Sequence, residues 1–327
     1  MCQSVAECYA GKSIFITGCT GFLGKVLLEK ILYSCSDVKK VYILLRGKRG
    51  LTIQERVKTL LELPVSYVFH SAASIKFTEP LHDLLNVNVK GTERVLSLCK
   101  CMKKLEVLVH VSTAYSNTHK IFIEEKVYPS PIPLSMIDHL IKEQPDEERT
   151  KIIIKDESNA YTFSKKLGEA LLAEKHGHVP VIIIRPSIVT ASLSEPLPGW
   201  IDNWNGATGL IGSISKGILR VIPGNEGNVL DLIPVDYVVN LIIVAPTKKI
   251  LYRKILRRIV QVRDVLEIFT SNSWKFSTMN NYCLFSSLSP SDQKTFPFSP
   301  SLINWSEYIP IYFDGMIKYL LKTNPAS

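Results

Sequence analysis

Tyr161 and Lys165 stand four residues apart in the run Tyr161-Thr162-Phe163-Ser164-Lys165, a spacing that a helix turns into a phenol and an ammonium on one face. Together they suit proton transfer to an oxyanion. Hydride delivered to a carbonyl carbon leaves negative charge on the oxygen, which needs a hydrogen-bond donor or a proton as it forms. A tyrosine of pKa about 10 is a slow acid–base group near neutrality, and a neighbouring ammonium helps by favouring the phenolate. At the end of the apolar run Val107 to Val111 stand Ser112 and Thr113. Thr113, with Ser112 as second candidate, is placed to hydrogen-bond a substrate carbonyl, and the plainer reading is a strand-end hydroxyl that satisfies backbone. In a chain with 13 tyrosines one Tyr-x-x-x-Lys is expected by chance, so the pair gains its weight from what precedes it.

What precedes it is strand, glycine turn and helix. Ser13 to Ile16 is a short β-prone run that leads into Thr17-Gly18-Cys19-Thr20-Gly21-Phe22-Leu23-Gly24, and Lys25 to Tyr33 then repeats apolar residues at helical spacing. Gly18 permits the tight turn, Gly21 lets backbone amides approach a pyrophosphate, and Gly24 lets the helix pack against the strand. The turn as a whole, with Thr17, Thr20, Phe22 and Leu23, is the candidate phosphate loop at a helix N-terminus. The next strand, Val41 to Leu45, ends in Arg46-Gly47-Lys48-Arg49. A cation at Arg46 suits the 2′-phosphate of NADP, the alternative being a solvated basic turn. A helical segment from Thr52 to Leu63 and an apolar run from Ser66 to Phe69 follow, and the latter brings His70-Ser71-Ala72-Ala73 to the cofactor, with Ser71, Ala72 and Ala73 as candidate contacts.

Leu84 to Met102 reads as a helix, Tyr128 to Asp156 as a Pro-rich and acidic interruption, Asn159 to Glu174 as the helix of the Tyr-Lys pair, and Val179 to Ile184 as a strand. The loop after it, with Pro186, Ser187 and Ile188, is placed to close over a nicotinamide. The fold class is therefore α/β, a Rossmann-like doubly wound parallel sheet. Between Arg46 and Ser66 there is room for one helix and no strand, so an edge strand is expected to be missing and the second strand to lie at the sheet edge.

The 327 residues are 46% apolar and 21% charged, which excludes a disordered or collagen-like chain. Much of the net charge of +9 falls in Thr247 to Arg263, which holds seven basic residues and no acidic one. Its apolar positions mark one helical face, so it reads as a basic amphipathic helix that could meet an anionic membrane surface or coenzyme A phosphates, or simply pack with a solvated face. No nucleic-acid motif accompanies it. No apolar run approaches a membrane span and no secretory signal opens the chain, which places it on the cytosolic side. Seven cysteines without C-x-x-C spacing suggest reduced, mostly buried thiols, and no metal site is expected.

Four segments resemble the fatty acyl-CoA reductases, extended members of the short-chain dehydrogenase/reductase superfamily. They are Thr17 to Gly24 continuing through Lys30, His110 to Tyr115, Arg185 to Val189, and Glu195-Pro196-Leu197-Pro198-Gly199-Trp200-Ile201-Asp202-Asn203. Phe269 to Trp274, Leu288-Ser289-Pro290 and Trp305 to Ile309 are similar to that family's C-terminal helical domain. The resemblance implies an NADP-binding reductase domain over residues 1–246, and a basic helix with the helical domain over 247–327. The implied reaction is NADPH-dependent reduction of a long-chain acyl-CoA, through a hemithioacetal and a fatty aldehyde, to a fatty alcohol with release of coenzyme A. Tyr161 and Lys165 match the family's catalytic pair, Thr113 its strand-end hydroxyl, and Thr17, Gly18, Gly21 and Gly24 its phosphate loop. A peroxisomal or endoplasmic reticulum membrane location is implied as well, although the chain stops at Ser327 without the apolar C-terminal segment of many relatives. Relative to the family, pieces are expected to be absent near Pro64 and near Thr247 to Ile250. Two other readings stay open: a shortened, non-catalytic product of the same family, or another extended short-chain enzyme acting on a sterol or nucleotide sugar, against which Pro198-Gly199-Trp200-Ile201 argues.

Overall fold

The computed structural model describes residues 4–44, 64–118, 122–155, 157, 159–217, 219–220, 229–247 and 275–321. Arg46, the helix expected over Thr52 to Leu63, residues 248–263 of the basic segment, and Phe269 to Trp274 lie outside the described residues.

Among the described residues the main sheet is five-stranded and parallel, in the order β2-β1-β3-β4-β6. Its strands are β1 (Ser13–Thr17), β2 (Lys40–Leu44), β3 (Tyr67–His70), β4 (Val107–Val111) and β6 (Val181–Ile184), with a short β5 (Phe122–Ile123) outside the sheet. β1, β3 and β4 are buried along their whole length, as near-continuous apolar strands of a parallel sheet covered on both faces must be. Their side chains divide by the period of two. Phe15, Val68, Leu108 and Ile183 enter one core. Ile14, Ile16, Phe69, Val109 and Ile182 enter the other. β2 pairs with β1 from Ser13↔Lys40 to Thr17↔Leu44, and Ile43 and Leu44 are 43% and 40% exposed. Among the described residues it is the outer strand of the sheet, as the shortened connection predicts.

The helices follow from local chemistry. The helix after the glycine turn, α1 (Phe22–Ser34), buries Val26, Leu27 and Ile31 on the same face as β1. The run expected from Leu84 to Met102 is helical from Leu81 but not uniform: Leu85–Lys90 forms a π turn that leads into α2 (Gly91–Cys101). Asn159 caps α3 (Ala160–Lys175), its side-chain oxygen accepting the Thr162 amide at 2.8 Å. The interruption between Tyr128 and Asp156 carries two helices that its composition does not announce, Ile137–Glu143 and Glu147–Ile154, and both pack into the core beneath α3.

After β6 the chain forms β7 (Ile188–Thr190), which pairs in parallel with β8 (Leu232–Pro234), and β8 runs into the apolar α4 (Val235–Val244). β9 (Lys275–Phe276) pairs with β5, and the C-terminal α5 (Trp305–Gly315) joins the first core through Tyr308 and Tyr312. The hydroxyl of Tyr308 donates to the Ala191 carbonyl at 2.7 Å, and that of Tyr312 lies 2.7 Å from Thr208 Oγ1. Gly199, at φ +73°, meets α5 backbone to backbone: a Cβ on Gly315 would sit 1.7 Å from the Gly199 carbonyl oxygen. The Pro198-Gly199-Trp200 loop is thus clamped by the C-terminal helix. Of the six described cysteines, Cys19, Cys35 and Cys99 are buried, while Cys101 and Cys283 are exposed. No helix among the described residues is long and apolar enough to cross a membrane.

Candidate active site

The carboxyl ends of β1, β3 and β4 open into a cavity of about 310 Å³. It brings together Gly18, Gly21, Phe22, Leu23 and Gly24 of the turn, Ser71 and Ala73 after β3, Ser112 and Thr113 after β4, Tyr161 and Lys165 of α3, and Pro186, Ser187 and Ile188 after β6.

The turn fits a dinucleotide phosphate on its own geometry. Gly18 has φ +75°, and a Cβ there would stand 2.6 Å from the Ala72 amide nitrogen. One on Gly24 would stand 2.1 Å from the Gly18 carbonyl oxygen, so any side chain at either position would break the contact between turn, β3 and α1. Gly21 caps α1 without a side-chain hydrogen bond, which leaves first-turn amides facing the cavity for an anion. Three expected cofactor contacts fall elsewhere. Thr20 is exposed and is not among the residues that line the cavity. Thr17 is 1% exposed and Ala72 packs under Gly18, so both act as supports beneath the loop.

That support is a directed chain of hydrogen bonds. The Ala72 amide donates to Thr17 Oγ1 at 3.3 Å, which lies 2.7 Å from His70 Nδ1, and His70 Nε2 lies 3.1 Å from Thr92 Oγ1. The Thr92 hydroxyl donates to the Asn88 carbonyl at 2.7 Å, so its oxygen is left to accept from His70 Nε2–H, and Nδ1 accepts from Thr17. Burial, with Lys165 nearby, pushes the His70 pKa down to about 3, which keeps the ring neutral. The Asn88 side chain in turn donates to Ser164 Oγ at 2.9 Å, and Ser164 donates to the Tyr161 carbonyl at 2.7 Å. One polar network therefore runs from the phosphate loop to the helix of the Tyr-Lys pair.

Tyr161 is the second residue of α3, where the amino end of the helix favours negative charge. Its ring meets Phe77 edge-on, 5.3 Å between centroids, and burial raises its pKa. Lys165 is 3% exposed and donates to the Val111 carbonyl at 2.7 Å. Burial lowers its pKa to about 8, partly opposed by the carboxylate of Glu169 one turn on. Thr113 Oγ1 accepts the Tyr115 amide at 3.2 Å and keeps its own proton to donate. Ser112 Oγ is buried and has no hydrogen-bond partner among the described residues.

Phe77, Asn205 and Leu230 also line the cavity and carry no sequence motif that marks them, and Tyr115 does so at the end of the His110 to Tyr115 segment. Asn203 does so at the end of the Glu195 to Asn203 segment that the sequence singles out. The arrangement offers an amide-lined anion cradle, a phenol, a buried ammonium and a donor hydroxyl in one cavity.

Residues 16–66 and 61–242 match a family model described as Male sterility protein, and residues 232–323 match a second model of the same description. The break in the first match falls at the connection that the sequence identifies as shortened. The chain is 31% identical to human "Fatty acyl-CoA reductase 2", covering 99% of this chain and 87% of the relative. It is 33% identical to Xenopus laevis "Fatty acyl-CoA reductase 1", covering 97% and 86%. The human alignment runs over 450 positions against a chain of 327, so it carries the relative's extra residues as internal gaps. In fold the chain resembles the terminal R domain of the myxalamid PKS-NRPS pathway, with TM-score 0.60 and 19% identity over 97% of this chain and 93% of that one.

Proposed function

Because this chain belongs to the fatty acyl-CoA reductase family, we propose that it reduces a long-chain fatty acyl-CoA with NADPH to the fatty alcohol and releases coenzyme A. The observation that carries the reading is the convergence of the glycine turn, Thr113, Tyr161 and Lys165 on one cavity.

Each alcohol formed from a thioester takes up two hydrides and two protons, and coenzyme A leaves as the thiol. A nicotinamide cofactor held by the turn supplies the hydrides when bound. The chain's own residues manage the charge. Thr113, whose oxygen already accepts the Tyr115 amide, uses its proton to hold the substrate carbonyl. In the first reduction the negative charge leaves on sulfur when the hemithioacetal collapses. In the second, Tyr161 gives its proton to the alkoxide, and the Lys165 ammonium with the amino end of α3 stabilises the phenolate that remains. Arg46, two residues after β2 in the sequence, supports NADPH over NADH.

A shortened, non-catalytic product is the competing reading, favoured by the exposed outer strand with Ile43 and Leu44. NADPH consumption by the purified chain with palmitoyl-CoA, beside NADH and beside Tyr161→Phe, separates the two. Acyl-CoA-dependent oxidation of NADPH is expected, reduced about 100-fold or more in Tyr161→Phe. A folded sample that oxidises neither cofactor is the non-catalytic product.

A further inference from the structure

A second cleft, of about 590 Å³, adjoins the candidate active site, and the two share Pro186, Ser187 and Leu230 in their walls. It lies between the carboxyl end of β6 and the β8–α4 unit on one side, and C-terminal residues including Phe298 and Trp305 on the other. Ile184, Ile233, Val238 and Leu241 make much of its wall apolar. None of the groups assigned a chemical role above depends on it.

We propose that this cleft holds the hydrocarbon tail of the substrate, with the thioester at the Pro186–Ser187 junction and the polyphosphate head group outside it. The proposal rests on the acyl-CoA reductase reading. Three features support it. The volume suits a lipid tail, with space on the order of twenty methylenes if each fills about the volume of a water molecule. The shared wall sets the two spaces side by side, within reach of one extended molecule that bends over Pro186 and Ser187. The third is charge, which selects the tail over the head group. Among the described residues the charged side chains on the wall are Glu124, Glu125, Asp231 and Arg185. Arg185 is committed, its Nη2 and Nε lying 2.5 and 2.9 Å from the Glu169 carboxylate, with Nη2 also 3.1 Å from the Lys126 carbonyl. Glu124 is committed as well, paired with Lys126 at 2.6 Å, so the described wall turns two carboxyl groups and no uncommitted cation toward a phosphate, whereas a hydrocarbon needs no polar partner.

The test narrows the cleft at two places. Leu241→Trp fills it from α4, and Val229→Trp does so from the rim, where Val229 is 58% exposed and its replacement spares the core. The readout is kcat/KM along a series from butyryl-CoA to stearoyl-CoA, with circular dichroism to verify folding. The wild-type value should rise with chain length, by at most about fourfold per added methylene, and level off at the diffusional ceiling. In both variants the ratio of stearoyl to butyryl should fall about tenfold or more. Folded variants with the wild-type chain-length profile would overturn the proposal and leave the reductase reading intact. A profile unchanged beside weaker inhibition by free coenzyme A would assign the cleft to the head group and overturn it too. A wild-type chain that reduces no acyl-CoA defeats the reductase reading alone, and cis-parinaric acid fluorescence then decides. Binding that is lost in Leu241→Trp sustains the hydrocarbon site, and no binding to wild type removes it.

Discussion

Lys165 donates one of its three ammonium protons to the carbonyl of Val111, 2.7 Å away, and thereby fastens the helix of the Tyr-Lys pair to the strand that leads into Ser112 and Thr113. Burial brings its folded pKa to about 8 from the usual 10.5, within reach of working pH. If its charge serves the reaction, kcat/KM falls as pH rises through about 8, by about tenfold per unit beyond it. Stability moves the other way. Between about 8 and 10.5 the unfolded chain keeps the proton that the folded chain has shed, so unfolding becomes harder with rising pH, by on the order of 3 kcal/mol over the interval. Lys165→Met should lose about 100-fold or more in activity and show neither trend. A rate that stays level through pH 9 would remove the ammonium from the mechanism.

His110 points to a different titration. It is 1% exposed, neither ring nitrogen has a hydrogen-bond partner among the described residues, and its ring centroid lies 5.2 Å from that of His70. Burial, then Lys165, then His70 hold its pKa well below 6.5. Below about 6.5 the unfolded chain takes up a proton that the folded chain refuses, so this contribution is intact above that pH and is lost as pH falls. In urea titrations His110→Leu should change stability by less than about 1.5 kcal/mol at pH 7.5, and gain about 2 kcal/mol over the wild type at pH 5. Equal losses at the two pH values would mean that the ring is held for its packing.

Lys30 of α1 is 2% exposed, yet it holds three elements at once. It pairs with Glu195, donates to the Thr295 carbonyl at 2.8 Å and stands 5.2 Å from the Phe296 ring centroid. Lys30→Met keeps the stem but leaves a half-exposed carboxylate and a carbonyl without their cation, a loss of about 1–2 kcal/mol. Limited proteolysis should then cut first within 275–321. An unchanged melting temperature and cleavage pattern would show that the C-terminal helices are held without it.

The legible parts of this site are those whose chemistry is local. The glycine turn, the hydroxyls after β4 and the Tyr-Lys pair announce themselves because spacing fixes a turn or a helix face within eight residues. What the sequence hides comes from far apart. Phe77 reaches Tyr161, and Leu230 reaches Ser187, only through the tertiary fold. His70 reads as part of a cofactor loop, and its bonds to Thr17 and Thr92 show a support instead. The helix Glu147–Ile154 was obscured by charge, and Asp146 forms it by accepting the Arg149 amide at 2.8 Å while Ile154 packs inward. Thr20 fails for the opposite reason: motif membership says nothing about which way a side chain in a turn faces.

The chain of bonds from Ala72 through Thr17, His70 and Thr92 to Asn88 has one polarity throughout, each hydroxyl and ring N–H committed forward. It starts at a backbone amide and ends at a backbone carbonyl, groups that neither release nor take up a proton near neutrality. The network meets Tyr161 only at its main-chain carbonyl, through Ser164, so it holds the loop and the helix in place and offers the phenol no proton route.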